Sequence, residues 1–174
     1  IHLTKHFMKH FILTAAALLS ASASLGATEV LTSPDGRLQL SFDLTTDRTP
    51  TYKMDYNNKP VIATSRLGLE LKNQKSLLDG FKMERVSRSS FDETWQPVWG
   101  EQSSIRNHYN EMAVCLSQPD DNGHLREMIV RFRLYDDGVG FRYEWPAQDN
   151  FTYFTIKEER TEFAMTGDHT AYWI

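Results

Sequence analysis

Apolar and polar residues alternate with a period of two along most of this chain, and that period predicts strands. Leu38, Leu40, Phe42 and Leu44 are separated by Gln39, Ser41 and Asp43, the pattern of a strand with one buried face. Pro34-Asp35-Gly36 just before it reads as a turn. Tyr52, Met54 and Tyr56 alternate next, and Asn57-Asn58 then turns the chain into Pro60-Val61-Ile62, which predicts a hairpin. Leu67, Leu69 and Leu71 predict a further strand. Asp79-Gly80 marks a turn before Phe81, Met83 and Arg85, and Ala113 to Leu116 reads as a short apolar strand. Met128, Val130, Phe132 and Leu134 face one way while Glu127, Arg131 and Arg133 face the other. Asp136-Asp137-Gly138 leads from there into Val139, Phe141, Tyr143 and Trp145, with Arg142 and Glu144 between them, so the two segments predict an antiparallel hairpin. Tyr153-Phe154-Thr155-Ile156 predicts one more strand.

Nothing after residue 27 carries a sustained 3.6-residue stripe bounded by caps. Many short strands with turns between them predict an all-β fold, an antiparallel sandwich or barrel. No repeat, low-complexity tract or linker interrupts residues 28–174, which are read as one domain.

Residues 8–27 have a different character. Lys9 opens the segment, Phe11 to Leu19 is apolar, and small residues follow, with Ala23 and Ala27 as cleavage points. The apolar run is shorter than the ~20 residues a membrane span needs, and no cysteine lies near for a lipid. Residues 1–27 are therefore read as upstream residues plus a signal peptide, with export to the periplasm or beyond and no membrane anchor. Ile1 stands where a start would, seven residues ahead of Met8, and Tyr172-Trp173-Ile174 stops within an apolar run. Both ends lead to the expectation of a piece of a longer protein, its sandwich incomplete at the C-terminus.

Lys plus Arg number 19 against 23 for Asp plus Glu, a net charge of -4. Loss of Lys5 and Lys9 with the leader leaves 17 minus 23, or -6. That sign argues against nucleic acid as a partner. The single cysteine, Cys115, excludes an internal disulfide framework, and its apolar setting predicts burial.

Chemistry-bearing motifs are sparse. There is no Gly-x-Ser-x-Gly, and His108, His124 and His169 show no metal-ligand spacing. The segment 91–111 stands out: Trp95, Trp99, Glu101, Arg106, Asn107, His108, Tyr109, Asn110 and Glu111 bring aromatic rings together with acids, amides and an arginine. A pyranose offers apolar C–H faces and a rim of hydroxyls, which suits such a set. The same residues would equally pin a loop to its own domain through tryptophan burial and Arg–carboxylate pairs.

Phe91–Glu101, Ile105–Glu111, Phe132–Glu144 and Gly167-Asp168-His169-Thr170-Ala171-Tyr172-Trp173 resemble the N-terminal domain of glycoside hydrolase family 97, nearest to α-glucosidases of the starch-utilisation type. Leu31–Gly36 and Ser65–Leu71 resemble that domain's first strands, and residues 72–80 look shortened against it. The resemblance implies a β-super-sandwich of the galactose mutarotase-like kind, followed by a catalytic (β/α)8 barrel and a small β domain. It implies hydrolysis of α-glucosides with inversion or α-galactosides with retention, and calcium at the active site of the full-length enzyme. The catalytic carboxylates belong to the barrel, and the N-terminal domain's glutamate ligand for calcium falls just past Trp173-Ile174. The resemblance thus places no catalytic residue, no metal ligand and no cofactor in this chain, and makes an oligosaccharide or polysaccharide and the downstream barrel its partners. The segment 91–111 and the pair Asp168 and His169 are candidates for substrate binding or for the domain interface, read as lying outside clear strands and turned towards the barrel. The alternative is a free-standing carbohydrate-binding sandwich or a mutarotase-like protein, which needs a His–Glu pair facing a groove.

Overall fold

The computed structural model describes residues 27–172. The leader read at residues 1–27, apart from Ala27, and position 173 of the resembling motif lie outside the described residues. Ten strands follow one another: β1 (Glu29–Thr32), β2 (Leu38–Leu44), β3 (Pro50–Tyr56), β4 (Lys59–Arg66), β5 (Leu69–Leu71), β6 (Lys82–Trp95), β7 (Ile105–Pro119), β8 (Leu125–Leu134), β9 (Val139–Glu144) and β10 (Ile156–Glu159). They form two four-stranded antiparallel meanders, β1-β2-β3-β4 and β6-β7-β8-β9, and a small sheet of β5 with β10. The all-β antiparallel fold expected from the pattern is observed, and of sandwich and barrel it is the sandwich, as the resemblance implies.

One core joins the two large sheets. Leu38, Leu40 and Phe42 from β2 and Tyr52 and Met54 from β3 meet Met112, Val114 and Leu116 from β7 and Met128, Val130, Phe132 and Leu134 from β8. Aromatic rings bridge the layers, with Phe132 6.0 Å from Phe42 and 6.3 Å from Tyr52, and Tyr52 5.7 Å from Phe141. Because successive side chains alternate sides, each of these strands leaves a polar outer face. Cys115 belongs to the outer side of β7 and is nevertheless buried; burial, the largest influence, and the nearby Glu127 push its thiol above the ordinary range.

The connections follow local chemistry. Asn57 and Asn58 have φ of 49° and 61°, the twisted two-residue turn that joins β3 to β4. Gly68, at φ 155°, sits so close to the next segment that a Cβ there would lie 2.5 Å from the Leu77 carbonyl oxygen. Its N–H donates to the Tyr143 hydroxyl at 3.1 Å, tying the β4–β5 junction to β9. Arg126, 1% exposed, donates to the Gln118 side chain at 2.6 Å and to the Lys75 carbonyl at 2.6 Å, and lies 5.1 Å from the Phe151 ring. It pins residues 72–80 onto the β7–β8 hairpin.

Several strands differ from the pattern-based reading. The weak strand at Met83 and Arg85 is the start of the 14-residue β6, and the short strand at Ala113–Leu116 is the middle of the 15-residue β7. Residues 91–95 and 105–111 therefore lie inside strands, and only 96–104 form a loop. β6 is an outermost strand with most residues exposed, so it needs no apolar face and shows no alternation. The strand expected at Tyr153–Ile156 begins only at Ile156, where it pairs with β5. Leu67 precedes β5, because Gly68 breaks the run.

Candidate functional site

The long strands β6 and β7 build an arm. β7 pairs with β8 only from Asn110 to Pro119, whereas it pairs with β6 as far as Ile105. The pairs Phe91–Tyr109 to Trp95–Ile105 thus overhang the sheet by five residues, about 17 Å at ~3.4 Å per residue. The root of the arm is fastened to β1: Arg88 pairs with Glu29 at 2.5 Å, and the Asn110 amide donates to the Thr32 carbonyl at 2.9 Å. The loop at its tip carries Trp99, 88% exposed, Val98, fully exposed, and Glu101, while Trp95 at the end of β6 is 49% exposed.

Strand alternation divides the candidate residues between two faces of the arm. Phe91, Tyr109, Asn107, Trp95 and Ile105 share one face. Asp92, His108, Thr94, Arg106 and Asn110 share the other. On the second face Arg106 grips Asp92 through both carboxylate oxygens, at 2.8 and 2.7 Å. Those hydrogen bonds hold Asp92 below the usual carboxylate range. The His108 Nδ1 is buried there with no hydrogen-bond partner among the described residues.

The first face continues into an ion-paired cluster on the outside of β7, β8 and β9. Tyr109, 7% exposed, stacks on Phe91 with ring centres 5.4 Å apart and takes the Arg133 guanidinium at 4.4 Å. Arg133 and Arg131 both donate to Glu111, and Arg131 also donates to both oxygens of Glu144, at 2.7 and 2.9 Å. Burial raises the Glu111 carboxyl, but the hydrogen bonds from Arg133 and Arg131 outweigh it and leave the group below its ordinary value. Glu144 falls to about 2, chiefly through Arg131. Arg131 is raised in turn, mainly by Glu144. Charge-assisted, doubly bonded pairs of this kind fix the direction in which the arm leaves the sheet.

The structure therefore gathers Trp95, Trp99, Glu101, Arg106, Asn107, His108, Tyr109, Asn110 and Glu111 on one arm and its root. Asp168 and His169 are exposed and lie elsewhere. The segment leading to them runs along β4, where Ala63 donates to the Ala164 carbonyl at 2.8 Å and Thr166 to that of Val61 at 3.2 Å. β4 and β1 are opposite edges of one sheet, about 14 Å apart at ~4.8 Å per strand. Phe91 and Asp92, within the candidate segment 91–111, also belong to the arm. Arg131, Arg133 and Glu144 complete its root from outside that segment, and the alternation of Arg131, Arg133, Arg142 and Glu144 on a polar face is the signal that could find them.

Among the described residues no three His, Cys, Asp or Glu side chains converge as ligands for a metal ion. Among them also, no helix is long and apolar enough to cross a membrane.

The fold is an all-β antiparallel sandwich with a projecting aromatic arm and an ion-paired root. Residues 31–174 match the glycosyl-hydrolase 97 N-terminal family, and the chain belongs to it. A retaining alpha-galactosidase of Bacteroides thetaiotaomicron is 28% identical over 141 residues, 81% of this chain and 19% of that protein. A glycoside hydrolase family 97 enzyme from Pseudoalteromonas sp. strain K8, solved with panose and with acarbose, is 35% identical with a TM-score of 0.75, covering 82% of this chain and 21% of its own. A beta-arabinopyranosidase structure is 29% identical with a TM-score of 0.68 over 78% of this chain and 21% of that one. The chain spans about a fifth of the length of these relatives.

Proposed function

We propose that this chain is the non-catalytic N-terminal sandwich of an exported glycoside hydrolase acting on α-glucosides or α-galactosides, and that its arm walls the active site of a downstream barrel. The observation that carries this reading is the overhanging arm, whose tip presents Trp99 at 88% exposure and Trp95 at 49%. A two-stranded ribbon with exposed tryptophans is unfavourable in water alone and suits a partner surface or a sugar face. Barrel enzymes keep their active sites in loops at one mouth, which a neighbouring arm can restrict. The galactosidase relative and the enzyme solved with panose supply the two substrate classes. The calcium implied by the resemblance belongs to the full-length enzyme, and no ligand for it is assigned within this chain.

The test is kinetic. The full-length polypeptide should release nitrophenol from a nitrophenyl α-glucoside or α-galactoside, and the 174-residue chain should release none. Trp99→Ala in the full-length polypeptide should raise KM several-fold with Tm unchanged. Turnover by the short chain alone would overturn the assignment, and unaltered KM and kcat in the variant would remove the arm from the active site.

A further inference from the structure

The outer face of β8 and β9 carries more positive than negative charge. Register places Arg131 opposite Arg142 and Arg133 opposite Gly140. Three guanidinium groups thus meet on one face, and Glu111 and Glu144 answer them with two carboxylates. Three minus two leaves one positive charge uncompensated within the cluster. Arg131 commits all three of its nitrogens to the glutamates. Arg133 uses only Nε, on Glu111, so among the described residues its two terminal nitrogens donate to nothing. Arg142 holds Glu144 through Nε and Nη2, which leaves Nη1. Arg133 is also held in place, with its guanidinium 4.4 Å from the Tyr109 ring centre and its Nε tied to Glu111. A cation whose orientation is already set loses little freedom on taking a partner.

Gly140 makes the space. A Cβ built there would meet no atom within 4 Å, and a recess of about 130 Å³ lies between the three arginines, floored by Gly140 and Phe141. Charge, shape and size select the guest. One surplus positive charge matches a monoanion, and the flanking glutamates repel a dianion. The parallel N–H groups at the end of a guanidinium match the two oxygens of a carboxylate. The recess is less than half the ~300 Å³ at which small-molecule sites begin, so it takes the carboxylate and leaves the rest of its molecule outside. We propose that Arg133 and Arg142 bind the carboxylate of an organic acid or an acidic saccharide across Gly140. Both arginines are partly exposed to water, so the Kd falls in the millimolar range.

Phenylglyoxal labelling of arginines in the full-length polypeptide, read by peptide mass spectrometry at constant ionic strength, tests the site. In about 100 mM sodium acetate, well above a millimolar Kd, labelling of Arg133 and Arg142 should fall at least threefold relative to sodium chloride. Labelling of Arg66, which pairs with Glu162 on another sheet, should not change. Methyl β-D-glucuronide should protect as well as acetate if the carboxylate alone is read, and better if an acidic saccharide is the guest. Methyl β-D-glucoside should not protect. Gly140→Val fills the recess with a side chain that its surroundings admit, and should abolish the protection with Tm unchanged. Absence of protection by both acids, equal protection by sodium sulfate, or undiminished protection in Gly140→Val would each overturn the proposal. An Arg133 that resists the reagent in chloride alone is already held by an acid of the same polypeptide, and that result would overturn it too. The arm reading stands or falls separately, on the KM of Trp99→Ala.

Discussion

At the residue scale, Glu144 and Gly68 respond to different physics. The Glu144 carboxyl sits at about 2 because Arg131, and after it Arg142, hydrogen-bond the ionised form more strongly than burial opposes it. A carboxyl whose pKa is lowered on folding adds stability that is complete above its unfolded value near 4.5 and fades as pH falls towards 2. Glu144→Gln should therefore cost about 1–2 kcal/mol at neutral pH, after allowance for solvent screening. The deficit should shrink as the solution is acidified, which thermal melts between pH 7 and pH 2.5 would follow. Gly68 is a matter of space and backbone. Its φ of 155° and the 2.5 Å approach of a would-be Cβ to the Leu77 oxygen leave no room for alanine. Gly68→Ala should destabilise by about 2–3 kcal/mol, lowering Tm by about 5–10 °C.

At the element scale, Arg126 shows how one side chain stitches a loop to a hairpin. Its guanidinium satisfies Gln118 and the carbonyls of Lys75 and Ser76 while shut off from water. Arg126→Ala strands those acceptors and should cost about 2–4 kcal/mol. Hydrogen exchange in residues 72–80 should speed up before that of β7 or β8. Elements of this chain were legible in the sequence where one face is buried. β2, β8 and β9 carry that contrast in Leu40 and Phe42, in Val130 and Phe132, and in Phe141 and Tyr143. β6 was not legible, since Arg85, Ser87, Arg88 and Ser90 meet solvent and nothing selects an alternation. The candidate site followed the same divide. The density of aromatic and polar residues from Phe91 to Glu111 marked the arm. Its two faces, and the pairing of Glu111 with Arg131 and Arg133, depend on a register that only a hairpin of known length defines.

On the scale of the whole molecule, stability rests on the contact between the two sheets. Phe132 touches that contact from several sides, facing Phe42, Tyr52 and Phe141 at 5.7–6.3 Å between ring centres. Phe132→Ala should cost about 3–5 kcal/mol and shift the urea midpoint downwards without changing the slope. The arm's outermost strand has a different consequence for the molecule. Fourteen residues of β6 present an unpaired backbone rim, an invitation to fibril growth that any exposed strand extends to its own copies. Lys82, Glu84, Arg85, Arg88, Asp92 and Glu93 scatter both signs of charge along that rim, so a second molecule docking there would bury several ions at once. These charges act as gatekeepers, keeping a chain with so bare a flank from polymerising.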